Sequence, residues 1–184
     1  MKEIVSEKYA QPMGKELIIM RGVSGSGKSW KARELLRGYS SGDNPLNHPV
    51  GNGVICSADD FFTERGKGEY AFDPSLLPVA HKQCQDKAVQ ALKKGLSPVI
   101  IDNTNTKLWE LKQLKPIILL AQSLGYKVRI EEPDTEWWKR KDVEEMWRRN
   151  SHGVPREAIE RMVNRFHPNV TVDDILNDNE EGKQ

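Results

Sequence analysis

The segment that most constrains this chain is Gly22-Val23-Ser24-Gly25-Ser26-Gly27-Lys28-Ser29, directly behind the apolar run Leu17-Ile18-Ile19-Met20. It fits the spacing G-x-x-x-x-G-K-[ST] in full. A short apolar run that ends in a glycine-rich turn reads as a buried parallel strand. Residues 29–36 read as the helix that follows. Glycines let main-chain N–H groups wrap an anion where a Cβ would collide. The helix turns its positive N-terminal end toward the same anion. Lys28 then reaches the outer phosphates of a nucleoside triphosphate such as ATP, and the Ser29 hydroxyl reaches Mg²⁺. The expected nucleotide-binding set is Gly22, Ser24, Gly25, Ser26, Gly27, Lys28 and Ser29. The pattern does not by itself separate a kinase from a nucleotide-driven switch.

The rest of the chain alternates. Apolar runs at 54–56, 98–101 and 126–130 read as further strands, the last of them near an edge because it only half alternates. Helical spacing covers 76–94, stopped at Gly95, and 107–124, broken or kinked at Pro116. A charged helix is expected over 136–150, and another begins near Pro155 with Ile159, Met162, Val163 and Phe166 on one side. The polar stretch 37–53 reads as a long loop. Alternation of this kind predicts an α/β fold: a parallel sheet of about four strands, helices on both faces, and a helical lid. Ligands of such sheets bind beyond the C-terminal strand ends, which gathers the glycine turn, "SADD" and "DNTN" on one edge. The expected organisation is an N-terminal segment 1–16, one domain over 17–168, and a mobile acidic tail 169–184.

Composition narrows the setting. The 184 residues carry a net charge of +1, which does not indicate a globally basic nucleic-acid binder but leaves room for a local basic face. Cys56 and Cys84 sit in apolar patterns and make no disulfide framework, so an intracellular, cytoplasmic setting is expected. The N-terminus has no signal-peptide core and no run is long enough to span a bilayer, so no membrane partner is expected. Oligomeric state is not legible.

Two carboxylates, Asp59 and Asp60, follow the second strand. A kinase needs a carboxylate beside the γ-phosphate to accept the proton of the attacking hydroxyl; the other use of Asp after a strand is to cap a helix. Asp102 closes the third strand in the manner of a Walker B carboxylate, which would hold Mg²⁺ with Ser29, or would cap the next helix. Arg148 and Arg149 precede Asn150-Ser151-His152-Gly153, where a lid arginine would stabilise charge on a transferring phosphoryl group. The alternative is a solvated basic face paired with Asp142, Glu144 and Glu145. Tyr70, Phe72, Trp109, Trp137, Trp138 and Trp147 could stack on bases or pack the core. His81 and Cys84 lack the further ligands of a metal site.

The ordered set "GVSGSGKS", "SADDFF", "AFDP", "AHKQC", "PVIIDNTNT", "GYKVRIEEPDTEWW" and "RRNSHGVP" resembles the P-loop kinase domains related to 5′-hydroxyl polynucleotide kinase. Within them it is most similar to the branch of the Nedd-four-binding-protein-two-like proteins. The resemblance spans about residues 17–166. It implies ATP-dependent, Mg²⁺-assisted phosphorylation of a 5′-hydroxyl end of DNA or RNA. It assigns the general base to Asp59, the phosphate grip to Lys28 and Ser29, and the lid arginine to Arg149. It leaves Asp60 to cap or support the local backbone. Three positions depart from the pattern. Phe62 stands where an arginine would grip the acceptor's phosphate. Asn103-Thr104-Asn105 behind Asp102 replaces Asp-Thr-Asn. His152 is nearest to a second lid arginine. The chain leaves no room for a phosphatase domain, so 3′-end removal is not expected. A small-molecule kinase and a non-catalytic nucleotide-binding module are the competing readings.

Overall fold

The computed structural model describes residues 14–40 and 53–178. Most of the N-terminal segment, most of the expected loop 37–53 and the last six residues lie outside the described residues. Four parallel strands form one sheet in the order β2-β3-β1-β4: β1 Glu16–Met20, β2 Val54–Cys56, β3 Val99–Asp102 and β4 Lys127–Glu131. Ile18 of β1 stands level with Ile100 of β3 and Arg129 of β4. The half-alternating strand β4 is at the edge, as expected.

The period-2 alternation of β1 divides the core. Leu17 and Ile19 face a large cluster that takes in Cys84, Ala88, Ala91 and Leu92 of helix α3 (Leu77–Lys93). Leu111 of α4 (Leu108–Lys112) and Ile117, Ile118 and Ala121 of α5 (Lys115–Ser123) complete it. Ile18 and Met20 face the other way, onto Ala32, Leu35 and Leu36 of α1 (Lys28–Ser40). Helices therefore cover both faces, and every residue of β1 after Glu16 is fully buried.

Three expectations on helices are corrected. The stretch 107–124 is two helices, and Pro116 falls in the first turn of α5, where its missing N–H costs nothing. The stretch 136–150 is also two, α6 (Glu136–Lys139) and α7 (Val143–Arg149). Each has its own cap: Thr135 accepts from Trp138 N and Asp142 from Glu145 N, with Lys141 at φ 54 between them. The expected acidic tail is in part folded. Val172–Leu176 forms a short helix, opened by a capping box between Thr171 and Asp174, with Ile175 fully buried in the main cluster. Its acidic residues suit a helix N-terminus, and Val172, Ile175 and Leu176 share the inner side.

Two satellite clusters sit over the C-terminal strand ends. One joins Val23 of the glycine turn to Trp138, Met146 and Ile159, the last from α8 (Arg156–Arg165). The other joins Ala58 and Phe62 of α2 (Asp59–Arg65) and its lead-in to Ala80 of α3. Among the described residues no helix is long and apolar enough to cross a membrane.

Candidate active site

The glycine turn leaves β1 and enters α1 at Lys28. Gly25 has φ +80, and a Cβ there would stand 1.9 Å from the carbonyl oxygen of Met146 in α7. Only glycine fits, both for its conformation and for this approach. The lid side also takes hold of the turn's carbonyls. Thr135 Oγ1 donates to Ser26 O at 2.8 Å and Trp137 Nε1 donates to Gly25 O at 3.0 Å. The Ser26 hydroxyl is buried with no hydrogen-bond partner among the described residues. An orphaned buried donor inside a glycine cradle is what an anionic ligand would satisfy.

Lys28 Nζ donates to Asp102 Oδ1 at the end of β3, and both side chains are almost wholly buried. The strand-three carboxylate thus reaches the phosphate-loop lysine and does not cap the next helix. Ser29 is exposed beside it and lines the same cleft. A serine hydroxyl and a carboxylate are oxygen donors of the kind Mg²⁺ takes alongside phosphates. No described group of three or more His, Cys, Asp or Glu could hold a metal alone.

Asp59 lies in the first turn of α2, with one carboxylate oxygen hydrogen-bonded and the other beside an imidazole. Tyr70 O–H donates to Oδ1 at 3.0 Å, and His152 Nδ1 lies 3.6 Å from Oδ2. The Tyr70 and His152 rings stack, with centroids 4.1 Å apart and planes 11° off parallel. Burial, and behind it the charge of Asp59, pushes the Tyr70 phenol above its ordinary value, so it stays a donor. Asp60 points elsewhere, 3.7 Å from Lys87, and burial pushes its carboxyl up. Asp60 makes no cap: Ala58 holds the N-cap position, and Ser57 Oγ accepts from Asp59 N at 3.2 Å.

The segment after Asp102 ties the strand ends together. Asn103 Oδ1 accepts from Ala58 N at 2.9 Å, which fixes the start of α2. Gly22 N donates to Thr104 O at 3.1 Å. Asn105, at φ 47, donates through Nδ2 to Met20 O at 2.8 Å. Asn103 Nδ2 also touches Cys84 Sγ at 3.5 Å. Both cysteines are free and buried, and burial pushes Cys56 up to about 12 and Cys84 to about 11, so neither is a nucleophile.

Arg149 lines the cleft, stacks its guanidinium 3.7 Å over Trp137 and donates to Glu145 at 2.7 Å. It is half-exposed and ion-paired, and it stacks on the ring that donates to Gly25 O. Arg148 does not line this cleft. The expected hinge is a stitched turn. Asn150 Oδ1 accepts from Val154 N at 2.8 Å and its Nδ2 donates to Trp147 O at 2.6 Å, which presents His152 to Asp59. Phe62, where an arginine was the pattern, is buried and packs edge-on against Tyr70 and Phe72 at 5.9 and 5.1 Å. The cleft lined by Lys28, Ser29, Asp59, Tyr70, Arg149 and His152 has a volume of about 1450 Å³.

Sequence reasoning missed Tyr70 and His152 as partners of Asp59, and Thr135 and Trp137 as supports of the glycine turn. Tyr70 follows Asp59 by 11 residues and His152 by 93, so no local spacing marks them. The one signal was that His152 stands near an expected arginine position.

A parallel sheet with a glycine-rich phosphate turn, a lysine–carboxylate pair at the strand ends and a helical lid defines a P-loop kinase-like domain. A family model described as an AAA domain matches residues 17–169, and the chain belongs to that family. It is 43% identical over 172 residues to human NEDD4-binding protein 2, covering 94% of this chain and 9% of that protein. The kinship expected from the motifs therefore holds. It is also 27% identical over 67% of its length to 2′,3′-cyclic-nucleotide 3′-phosphodiesterase of Pongo abelii, covering 25% of that protein. The chain thus spans a small part of these relatives. Among solved structures, a chain of the Pnkp1/Rnl/Hen1 RNA repair complex matches with a TM-score of 0.55 at 24% identity, over 83% of this chain and 44% of that one. Chaetomium thermophilum Kti12 in complex with ADP-AlF3 matches with a TM-score of 0.51 at 19% identity, over 83% of this chain and 81% of that one. These two likenesses concern the fold.

Proposed function

We propose that this domain transfers the γ-phosphate of ATP to a 5′-hydroxyl of a polynucleotide. The observation that carries the reading is Asp59, hydrogen-bonded by Tyr70 and with His152 3.6 Å from its other oxygen, in the same cleft as Lys28 and Ser29. A carboxylate fixed in this way, beside a phosphate cradle, suits a general base. The kinship to NEDD4-binding protein 2 and the fold shared with a chain of an RNA repair complex favour a nucleic-acid end as acceptor.

In this mechanism the main-chain N–H groups of Gly25, Gly27, Lys28 and Ser29 and the Ser26 hydroxyl bind the phosphates. Lys28 gives up its pairing with Asp102 in part to neutralise charge on the β- and γ-phosphates. Ser29 and Asp102 are the residues that would hold Mg²⁺, which supplies charge neutralisation on the phosphate oxygens. Asp59 accepts the proton as the 5′-oxygen bonds to the γ-phosphorus and the bond to the β-phosphate oxygen breaks, releasing ADP. Arg149, released from Glu145, adds charge to the transferring group. A cleft of about 1450 Å³ exceeds the roughly 300–1,000 Å³ of a single small-ligand pocket, which suits two substrates end to end.

The test is transfer of labelled γ-phosphate to 5′-hydroxyl oligonucleotides, with free nucleosides and sugars competing. Transfer to oligonucleotides that Asp59→Asn abolishes supports the reading. Transfer to the small molecules alone would establish a small-molecule kinase, and equal rates for wild type and Asp59→Asn would remove Asp59 as base.

A further inference from the structure

The same cleft also carries open aromatic faces. Trp30, Phe72 and Trp109 line it with 50%, 51% and 56% of their surface exposed. Elsewhere the fold buries such rings when they serve the core: Trp138 is 2% exposed and Phe62 1%. Large aromatic faces left open within one cleft mark a binding surface. Phe72 is also held in place. Phe72 lies parallel to Tyr70, with planes 9° apart and centroids at 6.2 Å, and Phe62 packs edge-on beneath both. Tyr70 is in turn fixed by its hydrogen bond to Asp59. Phe72 therefore lies one residue contact away from the proposed base.

We infer that the acceptor is a 5′ end whose terminal nucleotides are unpaired, held by stacking of their bases on Phe72 and Trp109. This rests on the kinase reading above for its orientation, with the 5′-hydroxyl at Asp59. Each base has a π-face, so recognition is tolerant of sequence. Cations are few here. Arg33, Lys82 and Arg165 line the cleft, but Lys82 is paired with Asp86 at 3.0 Å and Arg165 donates to Thr106 at 3.2 Å. At most three phosphates are neutralised, which limits the salt slope of single-strand binding to about −2 in log–log form. The net charge of +1 agrees with a stacking-dominated grip.

The experiment measures binding of 3′-fluorescein single-stranded oligonucleotides by anisotropy, in the presence of a non-hydrolysable ATP analogue. The strands carry a 5′-hydroxyl and either intact or abasic residues at the first two 5′ positions. Stacking of two bases predicts that the intact strand binds at least about 30-fold tighter. Phe72→Ala and Trp109→Ala should shrink that advantage while leaving ATP binding unchanged, and Phe72→Trp should keep it. Both positions are half-exposed, and a thermal melt checks that the variants are folded. The inference is overturned if wild type binds intact and abasic strands alike, binds neither, or keeps its full preference in both alanine variants. Base-dependent binding without phosphate transfer would sink the kinase reading and leave this one standing. Transfer to abasic and intact ends with equal affinity would do the reverse.

Discussion

The phosphate half of the cleft is made of main chain, whereas the acceptor half is made of side chains. In the first, seven consecutive residues from Gly22 to Lys28 provide a cradle whose shape follows from positive φ at Gly22, Gly25 and Gly27. In the second, Asp59 from α2, Tyr70 from the following loop, His152 from the lid turn and Trp109 from α4 converge from four separate parts of the chain. Main-chain geometry is local, so a short word in the sequence encodes it. Side-chain convergence is not, and its parts tolerate change one at a time. The difference teaches what fixes each half: Gly25 has no substitute against Met146, whereas the Asp59 side rests on packing of Phe62, Tyr70 and Phe72.

Substitutions in each half test this division. The largest effect is expected for Asp59→Ala, which removes the proposed proton acceptor and should lower kcat by about 10²–10⁴-fold with the KM for ATP unchanged. A comparable rise in the ATP KM would mean that the two halves are not separable. Lys28→Ala should cost about 10²–10³-fold in kcat and should weaken ATP binding as well, seen by calorimetry. It also leaves the Asp102 carboxylate buried without its partner, so its melting temperature should fall; an unchanged melt would show that the pair contributes nothing to folding. Tyr70→Phe keeps the ring stack with His152 and removes one hydrogen bond to a charged oxygen. About a tenfold loss in kcat is expected, with oligonucleotide binding retained. Loss of binding instead would make Tyr70 part of the acceptor platform. The smallest change should come from Asp60→Asn. Burial raises its folded-state value, so the charged form is disfavoured on folding and that penalty is present at neutral pH; a neutral side chain removes it. With half of the side chain exposed, stability should move by within about 0.5 kcal/mol in urea melts, toward greater stability, and transfer should be untouched.

Much of the fold was legible because its signals are periodic or positional. Four apolar runs gave four strands, and the rule that ligands sit beyond strand ends brought the glycine turn, "SADD" and "DNTN" together. The helix breaks near Gln113 and Lys141 were harder, since Thr135 and Asp142 become visible as caps only once each helix has its own start. Val172–Leu176 was lost to its acidic composition, although Ile175 is as buried as β1. In the site, Asp59 and Lys28 were legible, but the partner of each was not: Lys28 meets Asp102 across 74 residues and Asp59 meets His152 across 93.

By itself, then, the sequence of this domain determined the parallel α/β sheet and the glycine turn at its strand end, because glycine conformation, strand burial and helix polarity act over a few residues. Only the tertiary structure decided that Lys28 rests on Asp102, that Tyr70 and His152 lie beside the two oxygens of Asp59, and that Phe62 lies beneath an open aromatic wall. Those contacts join residues far apart in the chain, and packing of the lid and of α2 against the sheet is what brings them within ångströms of one another.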